Sequence, residues 1–155
     1  MRRWLIYLIA VLVLYSLPEG QGTELGKLNP AGLIYIYKEA DQFVVRTDTK
    51  EMGKGVSVET ALEDLRASSG AEVFLDTVDY ILVTEDTKSC VPELEKQFRL
   101  SSNIVLATGQ IDAVQAADFL AIHNPELTLL DYVTTGKSIP KLMMAGERYY
   151  LESNR

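Results

Sequence analysis

Val78-Asp79-Tyr80-Ile81-Leu82-Val83-Thr84 is mostly apolar, which marks a central strand of a sheet. Asn103-Ile104-Val105-Leu106-Ala107 is another strand, closed by Gly109. Between them lies a short helix with Pro92 in its first turn, Ser89 or Val91 as its cap, and Leu94 and Phe98 on its inner face. After Gly109, Asp112 caps a helix from Ala113 to His123 with Val114, Ala117, Leu120 and Ala121 on one stripe. Asn124-Pro125 stops it.

Strand–helix alternation on this scale predicts an α/β layer with a partly parallel sheet. Upstream, Leu33-Ile34-Tyr35-Ile36-Tyr37 and Phe43-Val44-Val45-Arg46-Thr47 read as a hairpin across Ala40-Asp41-Gln42. Lys50 to Gly55 reads as a glycine-containing loop. Ser57 is placed to cap a helix whose Val58, Ala61, Leu62 and Leu65 fall at i, i+3, i+4 and i+7, and Gly70 sits where a C′ glycine belongs. Thr128 starts a short helix through Val133. Lys141 to Met144 and Arg148 to Glu152 read as a last hairpin around Gly146. The predicted order is β-β-α-β-α-β-α-α-β-β, and its two hairpins add antiparallel edges, so the expected fold class is α/β with a mixed β-sheet, flanking helices and a preceding hydrophobic anchor helix.

The anchor comes from residues 1–18. Arg2-Arg3 is followed by a 14-residue uncharged run, Trp4 to Leu17, and then Pro18. A helix apolar on every face has no place on a soluble surface. At ~1.5 Å per residue the run spans about 21 Å, short of the ~30 Å hydrocarbon core but matching the apolar region of a secretory signal. No A-x-A site comes after it; Gly20-Gln21-Gly22 offers the small residues, and no Cys stands directly after the run. An uncleaved signal-anchor is the expectation, a cleaved signal or a buried core helix the alternatives. Two arginines place the N-terminus in the cytoplasm, and the rest outside the cytoplasmic membrane. Residues 19–30 read as a linker rich in Gly, Pro and polar residues, and residues 31–155 as one extracytoplasmic domain.

Composition narrows the function. The 155 residues carry 15 basic and 22 acidic side chains, net −7. Without the two leader arginines, 13 basic side chains stand against 22 acidic ones, net −9. An acidic domain repels phosphate backbones and anionic lipid, so nucleic acid is excluded as a main partner. One Cys excludes an intramolecular disulfide and CxxC zinc sites, and one His removes most metal and acid–base constellations.

Each chemistry-bearing candidate has a plainer explanation. Gly53-Lys54-Gly55-Val56-Ser57 precedes a helix, where free N–H groups can cradle an anion, but the Walker spacing is absent and a flexible loop before a capped helix accounts for it. Cys90 near a helix start would have a lowered pKa if exposed; a semi-buried small residue is the simpler reading. His123 ends an apolar helix with no second His or Cys near it in sequence. Asp76 and Asp79, and Glu85 and Asp86, offer paired carboxylates for proton transfer or cation binding, but without EF-hand spacing they read as solvated turn residues. Gly-x-Ser-x-Gly is absent. Tyr35, Tyr37, Tyr80, Phe98, Tyr132, Tyr149 and Tyr150 read as core and sheet-face aromatics. The expectation is therefore no catalytic, cofactor-binding or metal-binding residues and no cofactor.

Thr60-Ala61-Leu62-Glu63-Asp64-Leu65, Tyr80-Ile81-Leu82-Val83-Thr84, Phe98-Arg99-Leu100 and Asn103-Ile104-Val105-Leu106-Ala107-Thr108-Gly109, with Ile139-Pro140-Lys141 and Tyr149-Tyr150-Leu151 towards the close, keep a familiar order. Residues 30–152 resemble the N-terminal domain of the spore germinant-receptor C subunit, the GerAC-like family. The resemblance implies an endospore-forming bacterium, a place on the outer face of the inner membrane, and no known catalysis. Family members are lipoproteins with further domains; here the acceptor Cys is missing and the chain stops at Arg155, so a stand-alone, membrane-anchored relative of the first domain is expected. The leading functional expectation is an interaction or assembly module in spore germination or sporulation, with the membrane held through the N-terminal helix and protein partners in the envelope. The alternatives are a small extracytoplasmic enzyme or ligand-binding protein using Asp76, Asp79 and His123, and a ring-type structural component of the sporulation envelope.

Overall fold

The computed structural model describes residues 28–70, 72–146 and 148–152; the expected anchor, residues 1–18, lies outside them. The described elements run β1 (Leu28–Pro30), β2 (Leu33–Glu39), β3 (Gln42–Thr47), β4 (Met52–Gly55), α1 (Val58–Ser68), β5 (Glu72–Phe74), β6 (Tyr80–Val83), α2 (Val91–Leu94), β7 (Asn103–Thr108), α3 (Ala113–His123), α4 (Leu129–Thr135), β8 (Lys141–Ala145) and β9 (Arg148–Glu152), with single 3₁₀ turns at Leu75–Thr77 and Lys88–Cys90. No helix among the described residues is long and apolar enough to cross a membrane.

Seven strands form one mixed sheet in the order β4-β3-β2-β6-β7-β8-β9. β2, β6, β7 and β8 are parallel, with Ile34 opposite Ile81 and Ile81 opposite Ile104. The first hairpin contributes antiparallel β3, and the last contributes antiparallel β9. The mixed α/β sheet and both hairpins are thus as the pattern indicates.

Both faces of the sheet are packed. Ile34, Ile36, Ile81, Val83, Ile104 and Leu106 point to one side, beneath α1, α2, Leu127 and α4. Leu33, Tyr35, Leu82, Val105 and Leu142 point to the other, beneath α3. The strand period of two therefore serves two cores at once, which is why β6 and β7 carry no polar alternation. Fully burying a side chain such as Leu62, Ile81 or Leu82 stabilises the fold by roughly 1.5–3 kcal/mol.

Several local expectations change. Met52-Gly53-Lys54-Gly55, read as part of a loop, is a strand paired with β3, Gly55 opposite Phe43. Its glycines exist for α1: a Cβ on Gly53 would lie 2.2 Å from the Ala61 carbonyl oxygen and 2.4 Å from the Leu65 nitrogen. The helix lies almost on the strand backbone, an approach only glycine permits. Ser57 caps α1 as expected, in a reciprocal capping box with Thr60. Gly70 is not the C′ residue of a left-handed stop, because the helix ends at Ser69 in an extended conformation. Within the expected linker, Leu28–Pro30 pairs in parallel with Glu72–Phe74. The cap of α2 is Cys90, not Ser89 or Val91. The buried side of α3 is Ala113, Ala116 and Leu120, while Ala121 is exposed. This helix is apolar nearly all round, so periodicity alone does not select its inner face.

Replacing Gly53 with Ala should destabilise the domain by about 1–3 kcal/mol, because the clash is with helix backbone that has no rotamer to yield. A lowered urea midpoint with an unchanged slope checks this. An unaltered midpoint would mean that α1 does not rest on β4 as described.

Candidate functional site

In an open α/β sheet, ligands bind outside the carboxyl ends of parallel strands, where successive connections leave to opposite faces. That place lies between β6 and β7. The connection after β6 carries Val91 and Leu94 to one core, and the connection after β7 carries Ala113 and Ala116 to the other. The rim is formed by Thr84–Thr87 on one side and Thr108–Asp112 on the other, Gly109 turning at φ +86° with open space beside it.

Thr87 shapes the β6 side of this rim. It is fully buried, its hydroxyl donates to the Ile36 carbonyl at 3.0 Å and accepts from the Thr84 amide at 2.9 Å. One side chain thus ties the turn after β6 to the neighbouring strand β2. Glu85 and Asp86 stand exposed on the same turn, as solvated turn residues do. On the β7 side, Asp112 caps α3 by accepting from the Gln115 amide at 2.9 Å, and its own amide donates to the Tyr149 hydroxyl at 3.2 Å.

Tyr35, Tyr37, Phe119 and Tyr149 lie on the α3 face, and Tyr149 touches the rim at Asp112. Tyr35 and Tyr37 approach ring to ring at 4.8 Å, and Phe119 lies 5.8 Å from Tyr149. Burial pushes the Tyr35 phenol up to about 12, with further contributions from Tyr37 and Tyr149. A phenol held above its unfolded value near 10 binds its proton more tightly in the folded state.

The sequence-level candidates are each held by a structural partner or left in solvent. Cys90 is buried and its thiol donates to the Thr87 carbonyl at 2.7 Å; burial raises its pKa, the reverse of the lowering that exposure at a helix start would give. His123 stacks on Phe119 at 4.0 Å, and its Nδ1 lies 2.9 Å from the Phe119 carbonyl. Asp79 pairs with Arg99 at 2.8 Å, and Arg99 also reaches the Val78 carbonyl. Asp76 is exposed in the turn after β5. Among the described residues, no hydrogen bond joins Asp76, Asp79 and His123, and no three His, Cys, Asp or Glu side chains group to hold a metal. Lys54 of the glycine-flanked segment bridges to Glu39 at 2.6 Å, holding that carboxyl below its usual range, and its amide donates to Asp64 at 2.9 Å.

Sequence reasoning does not reach Thr87, nor Ser102, whose buried hydroxyl donates to the Val78 carbonyl at 2.6 Å. A hydroxyl set between Asp86 and Lys88 carries no signal of a partner 51 residues away. No known protein family, curated protein or solved structure matches the chain.

Two outcomes are expected here. Thr87→Val should cost about 1–3 kcal/mol in denaturant unfolding, since the Ile36 carbonyl and Thr84 amide lose their buried partner. For Tyr35, the raised folded pKa contributes stability that is fully present below about pH 10 and lost as pH climbs towards about 12. Unfolding measured across that window should show a steeper decline for the native chain than for Tyr35→Phe; parallel curves would contradict the burial of this phenol.

Proposed function

We propose that this chain is a membrane-anchored extracytoplasmic domain without catalysis of its own, an interaction or assembly module of spore germination or sporulation. The observation that carries the reading is the leader: two arginines, fourteen uncharged residues and a proline ahead of an acidic remainder. Charge asymmetry of this kind holds the N-terminus in the cytoplasm and sends the acidic remainder across the bilayer. The likeness of residues 30–152 to the germinant-receptor C subunit supplies the setting.

The side chains that carry chemistry in other proteins support the same reading by how they are used here. Cys90 closes a turn, Asp79 and Arg99 neutralise each other, and His123 lies on Phe119. The domain would then act by surface contact with other envelope proteins.

The test is export. An enzyme reporter active only outside the cytoplasm, fused after Arg155, is expected to be active, and Arg2→Glu with Arg3→Glu is expected to cut that activity at least several-fold. Crosslinking in membranes of sporulating cells should then yield heteromeric products. A reporter active only in the cytosol overturns the anchored reading, and export without any crosslinked partner overturns the assembly role.

A further inference from the structure

The two edges of the sheet are treated differently. At one, α1 packs over β4 and Asp64 takes the outward amide of Lys54. At the other, β9 is a five-residue strand, Arg-Tyr-Tyr-Leu-Glu, with no Lys, no Pro and no Gly. A natural edge is usually blunted by charged side chains, lysine above all, by proline or by a bulge; on β9 the charges stand only at the two ends. Tyr150 in its middle is 49% exposed. Arg148 and Glu152 are exposed at its ends, and neither makes an ion pair among the described residues.

The register of the last hairpin says which backbone groups face outward. Ala145 pairs with Arg148 across a two-residue loop, Met143 with Tyr150 and Lys141 with Glu152. The pair that flanks a two-residue loop is hydrogen-bonded, and bonded and non-bonded pairs alternate from there. Arg148, Tyr150 and Glu152 therefore spend their backbone groups on β8. Those of Tyr149 and Leu151 point to the open edge.

We propose that β9 pairs antiparallel with β9 of a second copy of this chain, about a two-fold axis at Tyr150. In this register Tyr149 meets Leu151 of the second copy and Leu151 meets Tyr149. These are the residues with outward backbone groups, so the two pairs exchange four hydrogen bonds. Tyr150 meets Tyr150, and Arg148 meets Glu152 at both ends. Those three are non-hydrogen-bonded pairs, where side chains come closest. The strand is thus complementary to itself reversed: plus opposite minus, aromatic opposite aromatic, donors opposite acceptors. A shift by one residue would set outward backbone groups against inward ones, and a shift by two would separate the charges. The contact is isologous, so it closes at two copies. It does not rest on the anchored reading above, because the edge is the same wherever the domain resides.

The experiment uses the full chain in detergent micelles. Light scattering should give a protein mass of two copies. Glu152→Arg should raise the dissociation constant about tenfold or more, and adding Arg148→Glu should restore it, since the pair is then reversed rather than broken. Single cysteines read the register independently. Tyr150→Cys should link to itself under a mild oxidant, its Cα atoms lying roughly 4.5 Å apart. Arg148→Cys should not, its copies being about 14 Å apart along the strands, but a mixture of Arg148→Cys and Glu152→Cys chains should link. The native chain, with Cys90 buried, is the control. A monomeric native chain with no link at Tyr150→Cys overturns the proposal. So does self-linking at Arg148→Cys, or a dimer that Glu152→Arg leaves intact.

Discussion

Ile81 and Val83 press into one core while Leu82 presses into the other, and Ile104, Val105 and Leu106 repeat the arrangement on the next strand. The rest of the fold depends on keeping both sides of these two strands dry. One face alone would leave Leu82 and Val105 in water, so a helix is required on each side. Parallel neighbours then require connections long enough to carry those helices. The chain answers with α2 after β6 and α3 after β7, on opposite faces, and returns beneath the strands to lay Leu127 and Leu129 on the first face. The divergence of these two connections is also what opens the rim between Thr84–Thr87 and Thr108–Asp112.

Dry faces make each enclosed polar group costly unless it is paired. Thr47, Thr87 and Ser102 are the buried polar residues among those described, and each hydroxyl is bonded. Thr47 closes its own turn with Thr49, while the other two lie at strand ends. Thr87 joins the turn after β6 to β2, and Ser102 joins the start of β7 to the residue two before β6. They therefore work as fasteners between neighbouring parallel strands at opposite ends, where the ladder itself runs out. Cys90, at the start of α2, adds its bond to the same turn that Thr87 organises.

What can be read from residue order alone divides along the same physical line. The two central strands, the two hairpins and the caps Ser57, Asp112 and Thr128 are local: the signal and the structure lie within a few residues of each other. β4 is hidden because Met-Gly-Lys-Gly has poor strand propensity, and what makes it a strand is the pairing with β3 and the approach of α1. β1 and β5 are hidden because each is three residues long and exists through the other. The inner face of α3 escapes the pattern because a helix of Ala, Val, Phe, Leu and Ile buries whichever side the sheet meets. As for the rim, its glycine and its exposed acids are visible in the sequence, but the fastening by Thr87 depends on a carbonyl in β2 that no spacing rule reaches.

The contrast between the sheet's edges has the same origin. β4 is short, and the chain turns straight from it into α1, so the helix necessarily lies over the edge it has just left; glycines remove the obstruction and Asp64 collects the spare amide. At the other side the order is reversed. α4 precedes its strands, packs through Leu129 and Tyr132 on the core of β6 and β7, and reaches β8 only through the loop after Gly136. β9 then arrives by a tight hairpin, with no helix among the described residues between it and the open side. Among the described residues the helices cover the two faces and none lies over the last strand, so there the edge rests on the strand's own residues. Alternation places Tyr149 and Leu151 on the α3 side and leaves Arg148, Tyr150 and Glu152 on the other, a balanced charge pattern at the margin of an otherwise acidic domain.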